Sequence, residues 1–453
     1  MIKRLALWLR DVFVRNRSLN ATRIVAVSFA CIIVVGTLLL ALPIASRDGQ
    51  SAGLFTALFT ATSSTCVTGL ILVDTWVQWS LFGQVVILAM IQLGGLGFMT
   101  VITMVSLALH RRIGLSERLI MVSTLNLNDL DGVVRMVRHA LMGTFLMEGT
   151  GAVLLSFAMV PRFGLLGGIW RGIFHAGFDL LGGRFGAFSS LAGLQDDPLV
   201  LGTIGVLIMV GGLGFFVWED ILEKRCWRKL SVYSKMVLII TVTLIVGGGL
   251  FFLLEEFSNP ATLGDMPLWQ KIVNAFFQSV TLRTAGFDAI GQGGLTDTSK
   301  AFSCILMLIG GSSGSTAGGL KTATVAVLLL ALRSGLTGRE QVTFRGRAIP
   351  YRRVLNATTL ALVMLFLFLV GSMLISTAED LPYLDCAFEV ASAMGTVGLT
   401  TGLTPNLSVF SQSLIILLMY MGRVGVLSFS IAFITRSGRG AKIKYPEMNV
   451  MIG

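Results

Sequence analysis

The residues in this chain best able to do chemistry offer backbone carbonyls rather than reactive side chains. Four short loops each turn on a single glycine: Thr65-Cys66-Val67-Thr68-Gly69-Leu70, His175-Ala176-Gly177-Phe178, Arg283-Thr284-Ala285-Gly286-Phe287 and Gly395-Thr396-Val397-Gly398-Leu399. Glycine permits the backbone angles that turn successive carbonyls toward one axis. Four such strands can replace the hydration shell of a dehydrated potassium ion. The candidate ligands are therefore Val67, Thr68 and Gly69; His175, Ala176 and Gly177; Thr284, Ala285 and Gly286; and Thr396, Val397 and Gly398. One glycine per loop implies a short or weak filter. Asp179 and Asp288 each stand two residues after a loop glycine, where an acid would concentrate cations at an outer mouth.

Each loop is followed by a small-residue cluster in an apolar stretch: Leu93-Gly94-Gly95-Leu96-Gly97, Val210-Gly211-Gly212-Leu213-Gly214, Ile309-Gly310-Gly311-Ser312-Ser313 and Met421-Gly422-Arg423-Val424-Gly425. From loop glycine to first cluster glycine the separations are 25, 34, 24 and 24 residues. The clusters suit either close helix packing or the lining of a pore, and their residue types do not choose between the two. The repeat predicts a fourfold helix–loop–helix array around one axis.

The elements that must position these loops lie in a bilayer. The chain has 453 residues, 54% of them hydrophobic and only 13% charged. Its mean hydropathy is +0.82, which excludes an ordinary soluble domain. Spans of roughly 20 apolar residues are expected at 24–43, 81–109, 136–160, 199–221, 236–255, 301–332 (interrupted), 354–377 and 409–434. Each pair brackets a semi-polar segment too short to span, read as a re-entrant helix ending at its loop. The fold expected is an all-α membrane protein of eight transmembrane helices in four pseudo-repeats. Its divisions are an interfacial N-terminus over 1–23, repeats over 24–110, 111–222 and 223–333, and a fourth repeat with its tail over 334–453.

Lys and Arg crowd the N-terminus, the stretches after spans two, four and six, and the C-terminus. Under the positive-inside rule both termini are cytoplasmic and all four loops enter from outside. The net charge of +11 therefore reflects topology, not nucleic-acid binding. The run Ile24 to Leu42 is longer than a signal-peptide core, so it reads as a retained span. Residues 2–13 read as a helix lying on the inner leaflet. Five scattered cysteines and three histidines in different segments show no metal-ligand spacing and no disulfide framework.

Two features lie in the predicted path. Gly310, Gly311, Ser312, Ser313, Gly314, Ser315, Thr316, Ala317, Gly318, Gly319, Leu320, Lys321 and Thr322 interrupt the sixth span. That much glycine and serine is tolerable at membrane depth only where unwound backbone faces a water-filled cavity, so residues 310–322 read as a gate. Gly314 to Lys321 nearly spells a phosphate-binding loop, but Leu320 intervenes before Lys321 and no strand precedes it. Arg423 is a cation in mid-span, a costly placement that marks function or pairing. It suits an electrostatic barrier to cations or a partner for gate carbonyls and hydroxyls.

The four loops and the interrupted sixth span resemble the Trk/Ktr/HKT superfamily of potassium transporters over essentially the whole chain, with the membrane subunit of the Ktr branch as its nearest kind. The resemblance implies that 310–322 is an intramembrane gating loop and that Arg423 lies beneath the filter beside it. It implies a homodimer in a bacterial cytoplasmic membrane, controlled by a KtrA-like cytoplasmic nucleotide-binding ring subunit. Gly69 stands where sodium-preferring plant members carry Ser, so potassium is the expected ion. Sodium dependence and ion coupling stay open. No catalytic constellation is visible, so an enzyme is not expected, and no bound cofactor is expected beyond the permeating ion.

One repeat breaks the pattern. From a phenylalanine near the start of each re-entrant helix to the loop glycine is ten residues in Phe59 to Gly69, Phe276 to Gly286 and Phe388 to Gly398, but three in Phe174 to Gly177. About two helical turns are missing there: either the second re-entrant helix is shortened in this protein, or the sequence lacks a segment. The competing reading is a sodium-coupled or sodium-preferring secondary transporter with a midplane site in broken helices. Inverted repeats would alternate the sidedness of the loops, whereas these four enter from one side, which favours the channel-like reading.

Overall fold

The computed structural model describes residues 21–96, 133–178, 184–185, 188–191, 193–315 and 317–425. The expected interfacial helix over 2–13, the basic stretch after span two, the ends of spans 81–109 and 409–434, Asp179, Thr316 and the C-terminal tail lie outside them. The regular structure of the described residues is almost wholly helical. Its only strands form two small hairpins, Arg184–Phe185 with Phe188–Ser189 and Thr343–Phe344 with Arg347–Ala348.

Repeats one, three and four are each built as a helix, a short helix ending in a loop, and a second helix. Repeat one has Ala21–Leu40, Leu54–Cys66 and Leu81–Leu96. Repeat three has Val232–Glu255, Leu268–Thr281 and the broken pair Asp297–Leu308 and Thr322–Leu336. Repeat four has Tyr351–Glu379, Tyr383–Gly395 and Val409–Val424. In repeat two the helices are Val133–Phe163, Leu165–Phe178 and Pro198–Leu213. Among the described residues, three helices are long and apolar enough to cross a membrane unaided: Met142–Arg162, Val232–Glu255 and Tyr351–Glu379. Shorter apolar helices (Val25–Leu40, Leu81–Gly95, Thr322–Leu336, Val409–Val424) fall in the other expected places.

The span expected at 199–221 is not continuous. It breaks at Gly214 (φ 78°), where Pro198–Leu213 gives way to Phe215–Lys224 at a bend of 95°. A positive φ cannot continue a right-handed helix, and glycine adopts it without a Cβ penalty.

Sequence explains why the short helices tolerate burial. The first is buried from Phe59 to Cys66 although five residues of that stretch carry hydroxyls. Those hydroxyls largely bond within the helix: Thr60 Oγ1 donates to Thr56 O (2.9 Å), Thr62 Oγ1 to Leu58 O (2.8 Å) and Ser64 Oγ to Thr60 O (2.7 Å), so little is left unpaired. The fourth short helix is buried from Cys386 to Gly395. Val390 and Met394 on it pack with repeat one, whereas Phe388 and Ala391 pack with repeats two and three.

Three repeats clasp the end of the first helix to the start of the third. Glu256 Oε1 accepts from Thr296 N (3.0 Å) and Thr296 Oγ1 (2.9 Å) at the cap of Asp297–Leu308. Glu379 Oε1 accepts from Ser408 N (3.0 Å) and from the Ser408 and Ser411 hydroxyls at the cap of Val409–Val424. In repeat two Arg162 pairs with the cap residue Asp197 at 3.2 Å. Each cap hydroxyl or carboxylate also accepts an N–H of its own helix, so the clasp and the cap share one residue.

Candidate functional site

Three of the four glycine loops share one backbone signature. Val67 (φ 58°), Thr284 (φ 67°) and Thr396 (φ 50°) take a left-handed conformation, and the loop glycine two residues later is also at positive φ: Gly69 at 100°, Gly286 at 78° and Gly398 at 94°. Non-glycine residues seldom take such angles, and sites where they do are usually functional. Hydrogen bonds from the preceding helix hold each loop. Ser63 O accepts from Thr68 N (2.8 Å) and Ser63 Oγ from Gly69 N (3.1 Å). Ser392 O accepts from Val397 N (2.9 Å) and Ser392 Oγ from Gly398 N (3.1 Å). In repeat three Thr281 O accepts from Gly286 N (3.2 Å), and Thr281 Oγ1 accepts from Phe287 N (2.7 Å). These braces escaped the sequence reading. The signal was there, as serines stand six residues before both Gly69 and Gly398.

The loops meet. A Cβ on Gly398 would run into the Thr68 carbonyl oxygen and approach Gly69 Cα at 2.9 Å, and one on Gly286 would run into the Val397 carbonyl oxygen. The fourth loop thus lies between the first and the third. The hydroxyls of Thr65 and Thr68 are buried there with no hydrogen-bond partner in the structure.

The second loop is the exception. His175, Ala176 and Gly177 lie inside the helix Leu165–Phe178 rather than in a loop. With seven residues fewer, this helix runs straight through the glycine instead of ending before it. It folds back on Val133–Phe163 through Gly164 (φ 76°), close enough that a Cβ on Gly168 would stand 2.5 Å from Val160 Cα. Asp288, expected at an outer mouth, is partly buried. Its Oδ1 accepts from Gly291 N (2.9 Å) and Gln292 Nε2 (2.7 Å), and its backbone N–H donates to Ser190 Oγ (3.1 Å).

The small-residue clusters serve close approach. A Cβ on Gly94 would strike the Thr65 carbonyl oxygen and one on Gly422 the Met394 carbonyl oxygen. Both carbonyls sit four residues before a loop glycine. The third cluster opens the interrupted segment, whose neck is closed by Gly310 N to Leu320 O (2.8 Å), Leu320 N to Leu308 O (2.9 Å) and Thr322 N to Gly311 O (3.0 Å). From that neck the segment reaches the loops. A Cβ on Gly318 would strike Thr396 Oγ1, and one on Gly310 would lie 3.5 Å from Thr284 Cγ2. Its other side docks on the broken span of repeat two. Ser312 N donates to Gly212 O (2.8 Å), Ser312 Oγ to Leu213 O, and Phe215 N to Gly314 O (3.2 Å). Ser315 Oγ donates to Ser312 O (2.7 Å) and Lys321 Nζ to Ala317 O, so the segment is also bonded internally. Ser313 lies against Gly214 through its carbonyl, 2.7 Å from where a Cβ would stand. Gly311 and Gly319 complete the neck, a Cβ on Gly319 falling 3.0 Å from Leu308 O.

Arg423 ends the helix Val409–Val424, and its Nη2 donates to Gly94 O (2.6 Å) and Gly95 O (3.1 Å). Those are late carbonyls of Leu81–Leu96, where a helix dipole favours a cation. Its charge also acts on Lys321 at the end of the interrupted segment.

Comparison with known proteins sorts this architecture. The family described as "TrkH: Cation transport protein" matches residues 1–443. The chain belongs to that family. It is 40% identical to the potassium/sodium uptake protein NtpJ of Enterococcus hirae over 452 residues, covering 97% of this chain and 98% of the other. To the Ktr system potassium uptake protein B of Bacillus subtilis it is 36% identical over 445 residues, covering 98% and 99%. The structure of the potassium transporter TrkH from Vibrio parahaemolyticus aligns with a TM-score of 0.71 at 17% identity, covering 91% of this chain and 84% of that one. This member of the TrkH family is thus an all-α membrane protein of the same fold.

Proposed function

We propose that the protein takes up potassium across a bacterial cytoplasmic membrane through a filter built from the Gly69, Gly286 and Gly398 loops. The observation that carries this reading is the mutual contact of three loops with the same unusual backbone, with a glycine-rich segment against Thr396 and Thr284 at their base. Carbonyls so gathered replace hydration water around a monovalent cation, and a segment packed against them blocks or opens the path. His175, Ala176 and Gly177 contribute a fourth strand only in a conformation in which the helix Leu165–Phe178 ends before His175.

Residues 310–322 act as the gate, and Arg423 adds a fixed positive charge near it. Both termini are cytoplasmic, and the protein works as a homodimer under a KtrA-like nucleotide-binding ring subunit. Kinship with the Ktr system proteins of Bacillus subtilis supports a multi-component system. Potassium is the main ion, and the name of the Enterococcus hirae relative makes sodium the competitor or co-substrate to test. The experiment is growth and rubidium or potassium uptake in a bacterium lacking its own potassium transporters, with and without a ring subunit. Growth rescue at low potassium that depends on this chain supports the reading, and absence of any cation flux at good membrane expression refutes it.

A further inference from the structure

The fourth short helix carries a carboxylate that the uptake reading does not use. Glu389 is fully buried, nine residues before Gly398. Its Oε1 accepts from Thr400 Oγ1 (2.7 Å), Thr401 N (2.8 Å) and Thr401 Oγ1 (3.0 Å), and its Oε2 accepts from the Thr404 hydroxyl. All four donors lie in the chain leaving the fourth loop. One of them is a backbone N–H, which can only donate.

The other loops leave their helices differently. In repeat three the corresponding tie is between amides, Gln278 Nε2 donating to Gln292 Oε1 (2.6 Å) and Gln292 Nε2 in turn to Asp288 Oδ1. Repeat one has Thr60 at the position of Glu389, its hydroxyl bonded back to Thr56 O within the helix. Among the described residues, a carboxylate grip from the short helix itself is therefore seen at the fourth loop only, and that loop touches both the first and the third. Ser392 holds this loop at its glycine through Val397 N and Gly398 N, and Glu389 holds the chain just beyond it. Between those two anchors the Val397 and Gly398 backbone has little freedom to shift.

We infer that Glu389 is a positioning residue for ion discrimination: by fixing residues 400–404 it sets the fourth loop against its two neighbours and so determines the preference for potassium over sodium. The inference rests on the filter reading above. Its mark is specific, since a carboxylate that only stabilised the fold would change the amount of active protein and leave the ion preference alone.

The test is uptake by the full chain with its ring subunit, measured as the ratio of the potassium KM to the sodium inhibition constant, at matched surface expression. Glu389→Gln keeps the size but puts an amide where four donors converge. It should shift that ratio about tenfold toward sodium, the effect expected from weakening one or two hydrogen bonds to a charged group, with maximal rate within about twofold. Thr404→Val removes one donor without changing shape, and should shift the ratio in the same direction by less. It also keeps the proposal testable should Glu389→Gln fail to reach the membrane. Gly398→Ser serves as the reference. If Gly398→Ser shifts the ratio but Glu389→Gln and Thr404→Val lower only the maximal rate, the proposal is overturned. If Gly398→Ser leaves the ratio unchanged, the filter reading falls, and this inference with it.

Discussion

At the scale of the residue, the glycines of the three loops face a double constraint. Each sits at positive φ, and at two of them a Cβ would collide with a neighbouring loop's carbonyl. Gly398→Ser therefore strains its own backbone and displaces Thr68 O. The expected outcome is a potassium KM raised about tenfold, equivalent to roughly 1.4 kcal/mol, with stronger sodium competition in uptake assays. Arg423 poses a different question, because its guanidinium has both a charge and two carbonyl partners, Gly94 O and Gly95 O. A fixed cation 4 Å from a passing ion raises its energy by roughly 4 kcal/mol at an effective dielectric of 20. Arg423→Gln should then speed potassium flux several-fold and lower thermal stability, because the helix-end contacts weaken. Equal flux in mutant and wild type, with stability reduced, would leave Arg423 as a residue that pairs helices and nothing more. The sequence exposed the glycines because spacing and residue type both pointed to them. It hid Arg423's partners, because Gly94 and Gly95 lie more than 300 residues away and no local pattern encodes such a pairing.

At the scale of the element, the interrupted segment is a loop with its own neck. Its contacts divide between the loops above, through Gly318 and Gly310, and the broken span beside it, through Ser312 and Gly314. Deleting Ser312 to Gly318 removes both sets, so uptake should rise several-fold and depend less on the ring subunit. A mutant whose flux still tracks that subunit would deny the segment its gating role. The glycine and serine content announced this break in the sequence. The second break, at Gly214, went unseen because Val210-Gly211-Gly212-Leu213-Gly214 is apolar enough to pass for continuous helix. Only the docking of Ser312 and Gly314 against it shows why the helix bends there. Repeat two was legible in the opposite sense. Counting from Phe174 to Gly177 reveals the shortfall, and in the structure the helix runs through Gly177 instead of ending before it. Inserting seven residues after Phe174, two helical turns closing in serine or asparagine, should release Ala176 and Gly177 into a fourth loop. A lower potassium KM and weaker sodium competition in uptake assays would show that the quadrant had been completed.

At the scale of the whole molecule, composition and the recurrence of one motif were enough to predict an all-α membrane fold, whereas how the loops touch required tertiary contacts. The clasps at the helix ends carry a consequence for the order of assembly. Glu256 reaches Thr296 across 40 residues and Glu379 reaches Ser408 across 29, whereas the fourth loop meets Thr68 only when the chain is nearly finished. Contacts of short sequence separation form early and repay little closure entropy, and membrane chains emerge from their N-termini. A chain truncated after residue 333 and released from the ribosome already contains both partners of the Arg162–Asp197 and Glu256–Thr296 clasps. Cysteine pairs placed at those two clasps should cross-link in the truncated chain as readily as in the complete one, and failure to do so would mean that repeat four is needed to fold the rest. The three clasped repeats are thus expected to close one by one during synthesis, the last of them bringing the loop that meets Thr68 and Gly286.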